Sequence, residues 1–538
     1  MATHASTNAA ASETHAGKMF VRNATGLVRE LTPFDAFNLV FAAILIPVGI
    51  SQALNFGAAA FPGANIALAF VLGGVLLLGF GGVYVYFTMA MPRSGGDYVW
   101  VSRVLHPFLG FVVNVSLTFV FVNWVAFNFT TMMTLFVPAA IYVLNLPATI
   151  STWFGVAGNQ FLVATVLTLL FTLIMLRGTK FAARFMLVLF WIVWIGMGLW
   201  YLGLIITPNS AFISNFAATT QVQPDTIINL AKSSGFATPS GLNIGMTLLA
   251  MLWAFQNLTG FEWTGYFAGE VKNVRRTVVT SVVGGLIIGA ILYAVGSLLV
   301  YRTVGFNLFS SLSYVGLNAS SKMPASVNYV LPALTRFLSL PGVLKGYIVI
   351  AFLLSIIWWT PAGFLLGTRN LFAWSFDRMA PEWVSKVNPN LHTPVNATIV
   401  MGIYIEFLNF MNIFGGLGGY LINIIAVMAL AFIVVGLAAV LFPYRRKDLY
   451  ENAPEPVRKK FLGMPLMVIA GIVTMVTWLF VLIAAFTASQ FGLMVTPLAM
   501  IEAFAAPVIA IIWYFIATGV RRRQGINMRQ VFNEIPPE

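Results

Sequence analysis

The stretch FQNLTGFEWTGYFAGEVKNVRRT, residues 255–277, decides the fold. It opens inside a run apolar enough to sit in lipid, yet Gln256, Asn257, Thr259 and Glu262 crowd into seven residues around Gly260. An unpartnered polar group in hydrocarbon costs about 2–7 kcal/mol. Such a run persists at mid-membrane only where it lines a cavity or the break of a helix, and an ionisable group there points to function. Beyond Glu270 the chain turns basic at Lys272, Arg275 and Arg276, as a membrane helix does when it reaches the cytoplasmic side.

The rest of the chain agrees. Of its 538 residues 59% are hydrophobic and only 8% are charged, and the mean hydropathy is +0.89. A water-soluble fold cannot hide that much apolar surface, so the chain is an integral membrane protein. Its apolar runs are continuous and about 20 residues or longer, which makes them helices rather than the short alternating strands of a barrel.

The apolar runs predict twelve transmembrane spans, at 36–60, 64–91, 108–142, 159–176, 181–206, 244–270, 278–301, 345–371, 394–412, 417–442, 463–487 and 492–519. With the N-terminus inside, 24 of the 29 Lys and Arg residues fall on the inner side. That bias fixes the topology, with both termini cytoplasmic in a multi-pass protein of the plasma membrane. It also accounts for the net charge of +13 through lipid contact, without nucleic acid. Residues 1–30 read as a flexible cytoplasmic tail, since they lack the apolar core of a signal peptide. The core runs over 31–443, a basic loop over 444–461, two further helices over 462–519, and a basic tail over 520–538. The two long outer loops, 207–243 and 302–344, are rich in Ser, Asn, Thr and Pro, as either caps over an entrance or plain loops would be.

Spans one to five and six to ten form two groups of odd number, so they enter the membrane in opposite senses, as inverted repeats require. The first span of each group is interrupted. Span one reads AAILIPVGISQALNFGAAAF, where Pro47 removes an amide and Gly49 loosens the backbone; span six carries Asn257, Thr259 and Gly260. Breaks at matching places expose half-helix ends able to hold an anionic head group or a cation.

Three segments then share one resemblance. MPRSGGDYVWVSRVLHPFLGF (91–111), TGFEWTGYFAGEVKNVRRT (259–277) and GTRNLFAWSFDRMAPEWVSKVNPNLHTPVNA (367–397) resemble the loop after helix two, the sixth-helix signature and the end of helix eight in the amino acid–polyamine–organocation (APC) superfamily. The resemblance implies a core of ten helices in a five-plus-five inverted repeat, with broken helices 1 and 6 and helices 11 and 12 added. It implies a permease, a secondary active transporter of an amino acid or related amine coupled to protons or another cation. Exchange, transport of a different small solute, and solute sensing stay open. The chain departs from the pattern at PVGIS, at Val274, where a proline is usual, and in span five, which has no lysine to carry a proton.

The expected substrate site is Val48, Gly49, Ile50 and Ser51 in the first break with Phe255, Asn257, Thr259 and Gly260 in the second. Glu262 is the candidate for proton coupling, because partial desolvation draws a carboxylate toward physiological pH. Ser355 and Thr360 in span eight are the candidates for a cation site, since sodium sites of the resembled fold lie between helices one and eight; hydroxyls bonded back to their own helix are the simpler reading. Asn123 and Asn128 either line the path or glue helices. Arg93, Asp97 and Glu270, with Arg103 and Lys272 nearby, form an expected inner gate. The apolar setting suggests a neutral, fairly hydrophobic solute.

An enzyme is disfavoured. The chain has no paired Asp motif for magnesium, no cysteine, no histidine inside a span and no phosphate-binding Gly-rich loop, so neither a metal site nor a cofactor nor ATP is expected. The expected partners are the small solute, the coupling cation (H⁺ or Na⁺) and membrane lipids.

Overall fold

The computed structural model describes residues 29–237, 241–389, 391, 393–416, 424–487, 497–526 and 528–533. Among the described residues, eleven helices are long and apolar enough to cross a membrane. They coincide with the predicted spans one to eight and ten to twelve. The predicted ninth span also forms a helix, Val395–Ile413, but it is not among the eleven. Its Asn396, Glu406, Asn409 and Asn412 dilute the apolar signal, and two of these polar groups serve packing. Asn409 donates to Thr168 at 2.9 Å and Asn412 to Asn123 at 2.8 Å, which makes Asn123 a helix-to-helix tie. Predicted features at residues 1–28 and 417–423, and the side chain of Glu502, lie outside the described residues.

Burial sorts the helices. The first, Pro33–Ala60, is 94% buried over its apolar window, whereas Ala157–Leu176 is 33% buried. The first is therefore the centre of the bundle. The other presents Leu162, Val166, Leu169 and Leu173 outward, an apolar face that only lipid or a neighbouring chain can cover. Side chains that match their local geometry start these helices. Thr32 and Asp35 form a reciprocal capping box at the start of the first, Asn65 accepts from Leu68 N–H at the second, and Asn243 accepts from Met246 N–H at the sixth.

The two long outer loops form a helical cap. Asn209–Thr220 and Pro224–Ser233 come from the first loop, and Phe306–Asn318 and the 3₁₀ turn Leu331–Phe337 from the second. The loops knit together where Phe337 packs edge-on against Phe212 and Phe216. Asn55, in the second half of span one, ties the bundle to this cap. It donates to the Tyr329 carbonyl at 2.9 Å and to Ser313, and it accepts from Leu331 N–H at 3.0 Å.

The opposite end carries both described chain ends. The strand-like contact between Leu31 and Val271 lies there, with Leu31 N–H donating to the Glu270 carbonyl and Lys272 N–H to the Leu31 carbonyl. Phe532, in the last described helix, covers the Arg103 guanidinium at 5.1 Å. We call this the basic end.

Candidate functional site

The first span breaks at Leu45. Pro33–Ile44 ends there, Leu45 takes a left-handed conformation (φ 48°, ψ 52°), and Ile46–Ala60 begins with Pro47 in its first turn. Proline supplies no amide to bond back into the preceding helix, so the break precedes it. This corrects the expected position: Val48, Gly49, Ile50 and Ser51 are helical and lie past the break. The last carbonyls before it are engaged. Ala43 accepts from the Trp359 indole at 3.1 Å and Ile44 from the Tyr293 hydroxyl at 2.9 Å. No side chain caps the start of the second half-helix, so its first amides face the break.

The sixth span breaks where the sequence placed it. Ile244–Leu258 ends at Thr259, Gly260 sits at φ 119°, and a tighter 3₁₀ helix covers Phe261–Glu270. The two breaks meet. A β-carbon on Gly260 would lie 2.9 Å from the Ala43 carbonyl carbon, and one on Gly49 would lie 2.6 Å from Asn257 Oδ1. Glycine at these two points is what lets the half-helices touch.

Beside this contact lies a cavity of about 50 Å³, room for a few waters. Its wall includes Leu45, Gly49 and Gln52 from span one, Gln256, Asn257 and Thr259 from span six, and Asn128 from span three. Phe121, Trp124, Trp263 and Trp359 supply its aromatic surface. Among the described residues, no charged side chain lines it.

The expected site residues divide accordingly. Gly49, Asn257 and Thr259 reach the cavity wall, and Gly260 sets the crossing beneath it. Val48, Ile50 and Ser51 are buried but are not part of the wall, and Ile50 packs against Gly296. Phe255 turns the other way, toward Trp478 and Phe480 of the eleventh span. Ser355 and Thr360 bond back to their own helix, at the Phe352 carbonyl (2.6 Å) and the Ile356 carbonyl (2.9 Å), and lie outside the wall. Sequence reasoning passed over Trp124, Trp263 and Trp359, and gave Gln52 and Gln256 no role; two adjacent amides at 256–257 in an apolar helix were the available signal.

Glu262 is fully buried next to the cavity but not in its wall. One carboxylate oxygen accepts from Gly260 N–H at 2.8 Å, and the Trp263 indole N–H is a further donor to the carboxylate. The carboxylate thus ties the broken backbone at Gly260 to the first turn after the break.

At the basic end the expected gate residues fall into two clusters. Glu270 pairs through both oxygens with Arg369 of span eight, the second contact at 2.9 Å, and Thr179 of span five bonds both partners at 2.8 and 2.7 Å. Asp97, in the short helix Asp97–Val104, accepts from Tyr266 at 2.6 Å, from Tyr84 at 3.0 Å and from Asn114 at 2.6 Å. Arg103, seen as a neighbour in sequence, pairs with Asp377 at 2.7 Å. Arg93 donates to the Pro92 carbonyl.

Burial pushes the Asp97 carboxyl up to about 6, although the bonds from Tyr266, Asn114 and Tyr84 pull it down. In an unfolded chain it titrates near 3.9. Between these values the folded chain keeps a proton that the unfolded chain has lost. This contribution to stability is therefore complete below about 3.9 and is lost as pH rises through about 6. Melting in detergent between pH 4 and 7.5 should show the loss, of order 3 kcal/mol, in the natural chain and not in Asp97→Asn. Parallel pH curves for the two proteins would refute the assignment.

A bundle of membrane-length helices, two of them broken and meeting beside a cavity that both line, defines a membrane transporter. The sequence pattern of the amino acid permease family matches residues 31–516, and the chain belongs to that family. The likeness to the APC superfamily in the three segments is borne out, and with it a permease rather than an enzyme. The chain is also similar to "Branched-chain amino acid permease BcaP" of Lactococcus lactis subsp. cremoris (strain MG1363), being 23% identical over 368 residues that cover 65% of this chain and 70% of the relative.

Proposed function

We propose that the protein is a secondary active transporter carrying an amino acid or related amine across the plasma membrane, driven by protons. The observation that carries this reading is the direct meeting of the two helix breaks, Gly260 on Ala43 and Asn257 on Gly49, beside a cavity that both spans line. Free half-helix amides there suit a carboxylate, and the amide oxygens and backbone carbonyls suit an amine. The relative's printed substrate supports an amino acid as the solute class. The breaks stand five spans apart, which supports the inverted five-plus-five repeat with helices 11 and 12 added. The charge bias supports cytoplasmic termini, so the basic end faces the cytoplasm.

Glu262 suits the coupling role because its buried carboxylate holds the Gly260 amide at the break itself. A proton there removes a buried charge, and its release restores one, so the break has two protonation-dependent states. Glu270, Arg369 and Thr179 join spans six, eight and five at the basic end and act as the inner gate, which must part for release. Asp97 clasps spans two, three and six beside it.

The test is uptake of labelled amino acids into proteoliposomes with and without an inward proton gradient, comparing the natural chain with Glu262→Gln. Accumulation is expected to follow the gradient, and Glu262→Gln should lose that dependence while still exchanging solute. A sodium gradient that drives uptake while a proton gradient does nothing would overturn proton coupling. Exchange without any response to either gradient would identify an exchanger.

A further inference from the structure

Arg103 and Asp377 belong to neither gate cluster, yet both side chains are fully shielded from water. Their ion pair joins the short helix Asp97–Val104 to Asp377, the residue at which span eight ends. Part of the cover over it comes from far along the chain. The Phe532 ring lies over the Arg103 guanidinium at 5.1 Å and stands edge-on to Tyr98 at 6.5 Å. Phe532 is 4% exposed, and Val531 beside it is 7% exposed. A defined turn brings them there. Gly525 takes φ 76° just after span twelve, where Ile526 N–H bonds the Arg521 carbonyl and Gly525 N–H bonds the Arg522 carbonyl, the pattern that reverses a chain at a helix end. Span twelve is itself tied to the strip that follows Asp377. The Trp513 indole donates to the Met379 carbonyl at 2.8 Å, and Arg521 donates to the Arg378 carbonyl at 2.9 Å.

We propose that the helix Met528–Asn533 is a latch on the basic end, in which Phe532 keeps the Arg103–Asp377 pair shut and so slows the opening of that end. Water weakens an ion pair by raising the local dielectric constant. A ring laid on the guanidinium keeps water out and adds its own attraction for the cation. The helix Asp97–Val104 cannot part from the end of span eight while the pair holds, and water does not reach the covered face of Arg103 until Phe532 leaves. The contact suits release. A helix that serves as permanent packing buries a long apolar stripe. This one has six residues and rests on the adjacent pair Val531 and Phe532. Its detachment uncovers little apolar surface, so it acts on the rate of opening more than on the stability of the bundle.

This inference rests on the transport reading above, in which the basic end opens and closes, and the test separates the two. Amide hydrogen exchange over residues 97–104 is to be measured on the full chain in detergent without solute, beside the initial uptake of a mixture of labelled amino acids into proteoliposomes. Phe532→Ala is expected to speed exchange there and to raise uptake, each about two- to fivefold, the factor that one ordinary cation–π contact carries. Phe532→Trp keeps a ring for the guanidinium and should stay near the natural chain. Phe532→Leu keeps apolar cover without the ring and should fall between the two. A misfolded variant loses uptake, so a gain is not the mark of misfolding. Exchange no faster in Phe532→Ala than in the natural chain overturns the latch. Faster exchange with unchanged or lower uptake overturns its action as a brake. If the natural chain moves no amino acid, the transport reading falls, while the exchange measurement still decides whether Phe532 holds the pair shut.

Discussion

Arg369→Met is expected to destabilise the protein by about 3–5 kcal/mol, because it strands the Glu270 carboxylate in a dry interior. Glu270 is 3% exposed and Arg369 is fully buried, so water cannot take over the lost partner. Removing both charges is a different matter. Arg369→Met with Glu270→Gln should recover most of the loss, since a well-packed neutral pair is often no less stable than a buried ion pair. Arg369→Lys should fall between, because lysine keeps the charge but not the planar fork that grips both carboxylate oxygens. Thermal melting in detergent reads the stability, and proteoliposome uptake reads the gate. If the inner gate opens by parting these groups, the double variant should melt near the natural chain yet leak substrate or lose its rate-limiting closed state. A loss below about 1 kcal/mol in Arg369→Met would show that the pair carries little.

Gly260→Ala should abolish transport and cost about 2–5 kcal/mol, from a left-handed backbone and an overpacked contact together. The backbone sits at φ 119°, where an L side chain is strained. The added methyl would meet the Ala43 carbonyl carbon, β-carbon and oxygen at 2.9–3.0 Å. Those atoms are backbone or its direct branch and cannot rotate away. The half-helices must then separate, which moves the cavity wall itself. Gly284→Ala is the control, since nothing lies within 4 Å of the added carbon there. Uptake that survives Gly260→Ala at more than a tenth of the natural rate would mean that the crossing of the breaks is not the working part.

The outcome of these tests bears on how far the sequence alone reaches. Glu262 and Gly260 were legible because a carboxylate and a helix breaker in a greasy segment violate a local rule. Leu45 was not. Pro47 and Gly49 marked the interruption in the sequence, but proline ended the helix ahead of itself, at Leu45, and left Gly49 helical. Asp97 and Glu270 were legible as charges near a membrane edge, but their partners were not. The sequence offered Arg93 and Arg103 close by, yet Glu270 found Arg369, 99 residues away, and Asp97 found two tyrosines and an asparagine.

Hydropathy, charge bias and helix breakers act through neighbours along the chain, each charged separately by the membrane. For that reason the sequence by itself determined the membrane class, the run of spans, the breaks in spans one and six, and the family likeness carried by three segments. The tertiary structure decided which polar atoms face one another: the meeting of Gly260 with Ala43, the Glu270–Arg369–Thr179 cluster, and the hold of Tyr84, Asn114 and Tyr266 on Asp97. Such groups come from helices far apart in the chain. Whether a buried polar atom is satisfied, stranded or open to a substrate depends on distances that only packing sets.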